Sequence, residues 1–282
     1  MTTRREFVQT LAASAAAVPA LRELGPLLAP AARHLSPLGV QLYTVRASMQ
    51  QDVDRTLARV REIGYREVEF AGYFGKSATQ LKTSLRHAGL SAPSAHVPLE
   101  DLTTKLEATL EAAAEIGHRW LVLPWIDQQD RTIEGIARIA GLLNIAGDRA
   151  SRFGIRIGYH NHDFDVRPFN DGLTPLGELI KRLDPTHCDS ELDLYWVVKG
   201  GSEPRTWFER FPGRFPMVHV KDAGPAPDFV MHDVGAGAMD WKAIFAQRRL
   251  AGIQHYFIEH DEPADPWTSI TASYRYLSRL DV

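Results

Sequence analysis

Residues 215–222 read FPMVHVKD, an apolar run that ends in His219, Lys221 and Asp222. Three other apolar runs end in the same way, with YHNHD at 159–163, ELD at 191–193 and FIEHD at 257–261. Neutral imidazoles and carboxylates that converge in space are ligands of divalent metal ions. Parallel strands that end on one rim would bring such side chains together. The pattern therefore predicts a metal-dependent enzyme.

Apolar runs alternate with amphipathic segments along the chain from Leu38 onward. Their periodicity predicts eight strands, at 38–45, 66–70, 90–97, 120–124, 155–161, 186–192, 217–220 and 256–259. It predicts eight helices, at 52–63, 78–88, 99–116, 132–153, 175–183, 204–211, 240–247 and 266–280. Eight strand–helix units in about 245 residues match the size of a (β/α)₈ barrel. A doubly wound open sheet is the alternative, but no Gly-x-Gly-x-x-Gly motif follows the first strand.

The composition is that of an ordinary globular protein. Of 282 residues, 44% are hydrophobic and 24% charged, which leaves ample apolar material for a core. The net charge of −3 lacks the basic excess typical of nucleic-acid binding, so we expect no nucleic-acid partner. Cys188 is the single cysteine of the sequence, which excludes an internal disulfide and a thiolate-rich zinc site.

The first 32 residues have the pattern of an export signal. Arg4 and Arg5 precede an Ala- and Leu-rich run at 11–20, and Pro/Ala-rich sequence follows. This order is typical of a twin-arginine (Tat) signal and linker, and the apolar run is too short to anchor the chain in a membrane. An ordinary amphipathic helix is the alternative, but the run lacks a polar face. We therefore expect the Tat export machinery as a partner and a periplasmic or secreted protein. Because phosphorylated sugars are mainly cytoplasmic, export favours an unphosphorylated substrate.

In a barrel, all strands end at one mouth, where active sites lie. Functional side chains stand at the predicted strand ends on every side of that mouth. They are Tyr43, Glu69, His96, Trp125, His160, His162, Asp193, His219, Lys221, Glu259 and His260.

From Leu38 to its end the chain resembles the xylose isomerase-like TIM barrels known as sugar phosphate isomerases/epimerases. The resemblance rests on GVQLY at 39–43, VEF at 68–70, YHNH at 159–162, LD at 192–193, HVKD at 219–222, GAG at 235–237 with DW at 240–241, and IE at 258–259. It implies a single (β/α)₈ domain over residues 38–282. These barrels include isomerases, epimerases, dehydratases, lyases and a DNA-repair endonuclease, so the resemblance specifies the fold more closely than the reaction.

The resemblance also implies one divalent ion, held by a carboxylate on strand five, an Asp on strand six, a His near strand seven and a Glu on strand eight. The implied ligands here are His160, Asp193, His219 and Glu259. His160 stands where many relatives have a Glu that also transfers protons, which disfavours simple two-base epimerisation. Two carboxylates and two imidazoles leave the ion formally neutral, and hence a stronger Lewis acid. Mixed nitrogen and oxygen ligands favour Mn, Fe, Co or Zn over Mg.

The remaining mouth residues divide into two predicted roles. Proton transfer is assigned to Glu259, Lys221, His162 and Glu69. Substrate contact is assigned to His96, Trp125, Trp196, Tyr43 and Asp222. The alternatives are a strand-end salt bridge between Lys221 and Asp222, structural polar networks for the other ionisable groups, and plain packing for the aromatic rings.

The sequence thus predicts a metal-dependent isomerase or epimerase that acts, through an enediolate-type intermediate, on an unphosphorylated sugar, keto-sugar or cyclitol. The alternative is a lyase or dehydratase of 3-keto-glycosides or inosose-like substrates. A non-catalytic periplasmic sugar-binding protein is a minor alternative, because it would keep the aromatic rings without needing the metal ligands. A homodimer is also left open.

Overall fold

Short apolar runs form the strands of a closed parallel barrel in the computed structural model, which describes residues 34–170 and 172–282. The barrel strands are β1 (Leu38–Gln41), β2 (Glu67–Ala71), β3 (Ser91–His96), β4 (Trp120–Leu123), β5 (Arg156–His160), β6 (Cys188–Asp193), β7 (Met217–Val220) and β10 (His255–Ile258). Their order around the barrel is β1-β10-β7-β6-β5-β4-β3-β2. The predicted (β/α)₈ fold is confirmed, and the predicted export signal at 1–32 lies outside the described residues.

Helices surround the barrel and connect its strands. They are α1 (Arg46–Gln51), α2 (Val53–Ile63), α3 (Ala78–Ala88), α4 (Leu106–Ile116), α5 (Ile133–Ser151), α6 (Asp163–Val166), α7 (Pro175–Arg182), α8 (Leu194–Lys199), α9 (Pro204–Arg210), α10 (Trp241–Ala246), α11 (Arg248–Ala251) and α12 (Pro266–Leu277). A 3₁₀ turn spans Gln128–Asp130, and the short strands β8 (Asp222–Ala223) and β9 (Met231–His232) pair antiparallel above the barrel. Among these described helices, none is long and apolar enough to cross a membrane.

Two predicted boundaries are wrong for local reasons. The first strand ends at Gln41 rather than residue 45, because the Gln41 side chain accepts a hydrogen bond from the Tyr43 N–H and starts a turn. The helix predicted from residue 99 begins only at Leu106. The Thr103 hydroxyl donates to the Leu99 carbonyl, and such side-chain bonds compete with helix formation.

The barrel interior is filled by side chains rather than open. Trp120, Val122, Met217 and Phe257 form a buried cluster inside it, separate from the larger core between strands and helices. Gly39 makes room for this filling, because a Cβ there would lie 2.6 Å from Cδ1 of Phe257. The polar side chains above this cluster are therefore confined to the carboxyl-terminal mouth.

Candidate metal centre and active site

Strand register brings the predicted ligands to the barrel mouth. Asp193, the last residue of β6, pairs with His219 on β7, and His219 pairs in turn with Phe257 on β10, two residues before Glu259. His160 is the last residue of β5. All four side chains are buried, so each depends on protein partners or a bound ion for its polar contacts.

The four side chains face one another through specific atoms. His219 Nδ1 lies 2.8 Å from Glu259 Oε2 and 4.0 Å from Asp193 Oδ2. His160 Nε2 lies 3.7 Å from the same Asp193 Oδ2. Metal–ligand bonds of about 2 Å place neighbouring donor atoms roughly 3–4 Å apart. Asp193, His219 and Glu259 each bring one donor atom within 4.8 Å of the others and so fit a divalent ion, and His160 lies beside this group through its contact with Asp193.

Asp193 is oriented for this role by its neighbours in the chain. Its Oδ1 accepts a hydrogen bond from Trp196 N and so caps α8, while its own N–H donates to Asn161 Oδ1. Its Oδ2 is buried and accepts no hydrogen bond, although the Lys221 ammonium lies 3.0 Å away as an ion pair. Burial raises the pKa of Asp193 to about 6, against the opposing charge of Lys221. One oxygen is thus held by the fold and the other is directed at the site.

Two further carboxylates, those of Glu191 and Glu69, contact the imidazole nitrogens on the side away from Asp193. His160 Nδ1 lies 3.1 Å from Glu191 Oε2, and His219 Nε2 lies 2.6 Å from Glu69 Oε2 and 3.1 Å from Glu191 Oε2. A metal-binding histidine usually donates its second ring N–H to a carboxylate, which fixes its tautomer. With its Nδ1 proton held by Glu191, His160 turns the Nε2 lone pair toward Asp193, whereas His219 would have to release the Nδ1 proton that it donates to Glu259 before it could bind an ion. Imidazoles oriented by carboxylates in this way are typical of metal sites, so the residues present fit a divalent ion.

A second group of donors lies deeper in the mouth. His96, His160, Glu191 and His219 bring one donor atom each within 4.8 Å of the others. Their ring nitrogens approach one oxygen, Glu191 Oε2, at 2.8–3.1 Å, which is hydrogen-bond spacing. A neutral imidazole has one lone pair, so His219 cannot serve this group through Nε2 while it serves Asp193 and Glu259 through Nδ1. The group of Asp193, His219 and Glu259, the outer set, is therefore the better candidate for a metal, and Glu191 acts as a hydrogen-bond acceptor for the imidazoles.

Glu191 and Glu69 form an asymmetric pair in this inner layer. Burial alone raises the pKa of Glu191, but the His219 charge and hydrogen bonds from three imidazoles hold it well below its usual range. Burial and the adjacent charge of Glu191 raise the pKa of Glu69, which also accepts hydrogen bonds from Gln41 and Ser94. Glu191 was predicted only as part of the ELD run and was assigned no role. Its position two residues before Asp193 on one strand, and hence on the same face, was the available signal.

Lys221 is a buried cation at the centre of the outer set. Its Nζ lies 2.6 Å from Glu259 Oε2, 3.0 Å from Asp193 Oδ2 and 2.7 Å from Asp261 Oδ1. The structure thus pairs Lys221 with three carboxylates, of which Asp261 had no assigned role. The expected alternative, a salt bridge with Asp222, is not formed.

The assignment of Asp222 to the substrate is corrected by its hydrogen bonds. Its carboxylate accepts from the N–H groups of Ala223, Gly235 and Met239 and from Trp241 Nε1. The side chain is buried and does not reach the cavity described below. Because alternate residues of an extended segment point to opposite sides, Asp222 faces away from the site that Lys221 enters. It holds the loop after β9 in place.

A cavity of about 900 Å³ opens above the site. Its lining includes the predicted residues Tyr43, His96, Trp125, His160, His162, Lys221 and Glu259. Glu69, Asp193 and His219 lie buried beneath it. Trp196 is not part of the lining and packs instead against Tyr195 and His162. The cavity also carries five carboxylates to which the sequence analysis assigned no role: Glu100, Asp127, Asp130, Asp261 and Glu262.

His162 is held at the wall of this cavity by neighbouring aromatic rings and by a buried carboxyl group. Its ring lies 4.7 Å from that of Trp125 and stacks on Phe164, and its Nδ1 is buried without a partner. Burial lowers the pKa of His162 well below its usual value, which keeps the imidazole neutral. The backbone N–H of His162 donates a hydrogen bond to the Asp165 carboxyl group, which also accepts one from the Tyr159 hydroxyl. Neutral imidazole is a proton acceptor, so this position suits a base.

Comparison with known proteins agrees with this fold. The model of the xylose isomerase-like TIM barrel family matches residues 57–277, and the chain belongs to that family. The resemblance drawn from the sequence is therefore confirmed. The named relatives of this family include isomerases, epimerases and dehydratases, so the class is one of enzymes.

Particular relatives define the range of that class. An inosose dehydratase of Lacticaseibacillus casei is 26% identical over 183 residues, which cover 56% of this chain and 59% of that protein. The crystal structure of a sugar phosphate isomerase/epimerase from Parabacteroides distasonis has a TM-score of 0.75 at 24% identity, covering 86% of this chain and 97% of that one. The IolI protein, whose structure contains a bound zinc atom, has a TM-score of 0.68 at 16% identity, covering 85% and 96%. The match spans about three fifths of the curated relative's length, and the two structures show the fold.

Proposed function

We propose that the protein is a divalent-metal-dependent isomerase or epimerase of an unphosphorylated sugar, keto-sugar or cyclitol. The observation that carries the proposal is the convergence of His160 Nε2, Asp193 Oδ2, His219 Nδ1 and Glu259 Oε2 beneath a cavity lined by His162. The IolI protein with bound zinc shows that a barrel of this fold can hold such an ion.

The ion supplies Lewis-acid polarisation of a substrate carbonyl or hydroxyl, which makes the neighbouring C–H acidic. His160, Asp193, His219 and Glu259 would hold it. This mixed set of nitrogen and oxygen ligands favours Zn, Mn, Co or Fe over Mg.

Proton transfer falls to the groups that the cavity exposes. His162 reaches the cavity wall as a neutral imidazole, and Glu259 reaches it as a carboxylate next to Lys221. A base on one side of the substrate removes the proton, and a second group returns it to the neighbouring carbon or to the opposite face. Lys221 and His96, also in the lining, are placed to donate hydrogen bonds to the oxygen on which charge develops.

The charges around the cavity support an unphosphorylated substrate. Glu100, Asp127, Asp130 and Glu262 line it, while Lys221 is the one Lys or Arg among the described lining residues and is already paired with carboxylates. A phosphate group would meet this like charge, and the one lining lysine is already neutralised by carboxylates in the metal-free protein. A neutral sugar would instead find apolar faces on two exposed rings, those of Tyr43 and Trp125.

A lyase or dehydratase is the second candidate, and one residue favours it. His160 replaces the strand-five carboxylate that the family resemblance implies as a second base, while the L. casei relative is named an inosose dehydratase. Loss of a β-substituent after the same proton abstraction needs one base and an acid for the leaving group. The two candidates therefore share their first step and differ in the fate of the intermediate.

The test is to incubate the Zn²⁺- or Mn²⁺-loaded protein in D₂O with free ketoses, inososes and 3-keto-glucosides. Deuterium at the carbon next to the carbonyl, without loss of a substituent, would support the isomerase or epimerase. An unsaturated ketone product would support the second candidate. A protein that binds no divalent ion, and exchanges no proton in any of these substrates, would contradict both.

The twin-arginine pattern supports a further part of the proposal, namely export of the folded protein to the periplasm. Arg4 and Arg5 precede the apolar run in the order that such signals require. Replacing both with Lys should leave the protein in the cytoplasmic fraction of a host that has the twin-arginine machinery. Unchanged distribution between fractions would argue against export by that route.

A further inference from the structure

We propose that Lys221 and the divalent ion compete for the same two oxygen atoms, and that Asp261 receives the Lys221 ammonium when the ion binds. The inference rests on the proposed metal site. Lys221 Nζ lies 2.6 Å from Glu259 Oε2 and 3.0 Å from Asp193 Oδ2, the two carboxylate oxygens that face His219 Nδ1. Lys221 is thus an internal cation that lowers the affinity of the site for the divalent ion.

The competition follows from charge and burial. The Lys221 side chain is 2% exposed, so its ammonium depends on these carboxylates for neutralisation. A divalent ion bonded to the same oxygens would lie within a few ångströms of Nζ, where repulsion between buried cations is large. One of the two cations has to withdraw. The lysine can do so, because its charge is carried on a flexible four-carbon stem.

Asp261 is placed to receive the ammonium. Its Oδ1 is already 2.7 Å from Lys221 Nζ, and its side chain is 27% exposed, on the solvent side of the cluster. The Asp261 backbone is fixed at both ends, since Arg46 donates to its carbonyl and its N–H contacts Met231 Sδ. A short rotation of the lysine stem would exchange three carboxylate contacts for one at the cavity wall. This exchange would leave the ammonium facing substrate.

The cation also has a role before metal loading. Without it, Asp193 and Glu259 would be buried carboxylates beside the imidazoles of His160 and His219 alone. Removing one partner of such a buried ion pair is strongly destabilising. Lys221 therefore keeps the ligand carboxylates charged and close together in the metal-free protein, at the expense of metal affinity.

The experiment is a Zn²⁺ titration against a chromophoric chelator, with the wild type, Lys221→Met, Asp261→Asn and the double variant. We expect Lys221→Met to bind Zn²⁺ roughly tenfold or more tightly, because the competing cation is gone. Asp261→Asn should bind it several-fold more weakly, because the ammonium loses its alternative partner. In the Lys221→Met background, Asp261→Asn should have little effect. Such non-additivity identifies an action through the lysine.

Glu262→Gln is the matched control, since it also removes one negative charge from the cavity lining. It should change Zn²⁺ affinity far less than Asp261→Asn. Lys221→Gln is a second neutral variant in case Lys221→Met does not fold, and Asp261→Asn tests the idea with the lysine intact. Equal affinities in all variants, or an equal effect of Asp261→Asn in both backgrounds, would overturn the competition.

The experiments distinguish a wrong competition between Lys221 and the metal from a wrong proposed function. Variants that bind Zn²⁺ with equal affinity, in a protein that still exchanges deuterium into a substrate, would refute the competition and leave the enzyme assignment standing. The expected pattern of affinities in a protein with no such exchange would support the competition and refute the assignment. Absence of Zn²⁺ binding in every variant would overturn the competition.

Discussion

Glu69 Oε2 lies 2.6 Å from His219 Nε2, on the side of the imidazole opposite to Glu259. The contact joins β2 to β7 across the interior of the barrel mouth. It ties the tautomer of a proposed metal ligand to a carboxyl group that was itself assigned to proton transfer. Glu69 does not line the cavity, so its place in the structure favours orientation of His219 over contact with substrate.

Glu69→Gln should therefore weaken metal binding. The amide is a poorer acceptor for the Nε2–H of His219, and loss of such an orienting partner typically costs roughly 10- to 100-fold in metal affinity. Zn²⁺ titration measures the effect. Glu67→Gln is the control, because Glu67 lies on the same strand and bonds His255 at 2.7 Å, a histidine outside the proposed ligand set. Equal affinities in the two variants would argue that Glu69 does not orient the ligand.

His160 and His162 should separate metal binding from proton transfer. His160→Ala removes a proposed ligand, so the purified protein should retain much less metal and lose activity with it. His162→Ala should keep its metal, because His162 belongs to neither of the candidate metal-binding groups found among the described residues. Its turnover should fall by about 10²–10⁴-fold, the usual contribution of a general base. Elemental analysis and steady-state rates on both proteins make the comparison. Full metal content in His160→Ala would contradict the ligand assignment.

The positions of these residues were predictable because each follows an apolar run that can only be a buried strand. The end of such a run gives a place on the rim, and a shared fold then supplies the convergence of His160, Asp193, His219 and Glu259. The direction of each side chain was harder to predict from the sequence. Asp222 was assigned to substrate contact, yet its side chain leaves the strand end on the side opposite to that of Lys221.

Partners that meet only in three dimensions were missed for a related reason. Glu191 contacts three imidazoles from three different strands, and Asp261 contacts Lys221 from the end of the neighbouring strand β10. No spacing in the sequence encodes these distances. In the same way, Trp196 was expected at the rim because it follows a strand, but Asp193 caps a helix there and turns the ring against Tyr195.

The pH dependence of stability should contain a contribution from Asp165. Burial raises the pKa of Asp165 to about 7, despite hydrogen bonds from the backbone N–H of His162 and the Tyr159 hydroxyl, whereas the pKa of an unfolded Asp is about 3.9. Between these values the native state holds the extra proton, so this contribution is complete below about pH 4 and is lost as pH rises to about 7. Asp165→Asn removes the titration. The stability of the wild type relative to this variant should therefore decrease between pH 5 and pH 8, by at most a few kcal/mol.

Urea denaturation at several pH values measures that difference. Asp163→Asn is the control, because Asp163 lies in the same short helix but is partly exposed and pairs with Arg167. Its stability should follow that of the wild type across the pH range. A constant difference between wild type and Asp165→Asn from pH 5 to pH 8 would show that the Asp165 carboxyl group does not titrate in this window.

Asp222→Asn should destabilise the fold without changing recognition of the substrate. The Asp222 carboxylate accepts from three backbone N–H groups and from Trp241 Nε1, and Gly237 passes so close that a Cβ there would lie 2.3 Å from Oδ1. An amide has one acceptor oxygen and would turn its own N–H groups toward these donors. Each donor left without a partner costs about 1–3 kcal/mol, so the free energy of unfolding should fall by several kcal/mol.

The matched control is Asp240→Asn, at an exposed helix cap where Asn serves as well as Asp. Its urea midpoint should stay close to that of the wild type. Below its unfolding temperature, Asp222→Asn should keep an unchanged KM, since its side chain is outside the cavity lining. A raised KM with an unchanged urea midpoint would restore Asp222 to the substrate site and require a different arrangement of the loop at 235–241.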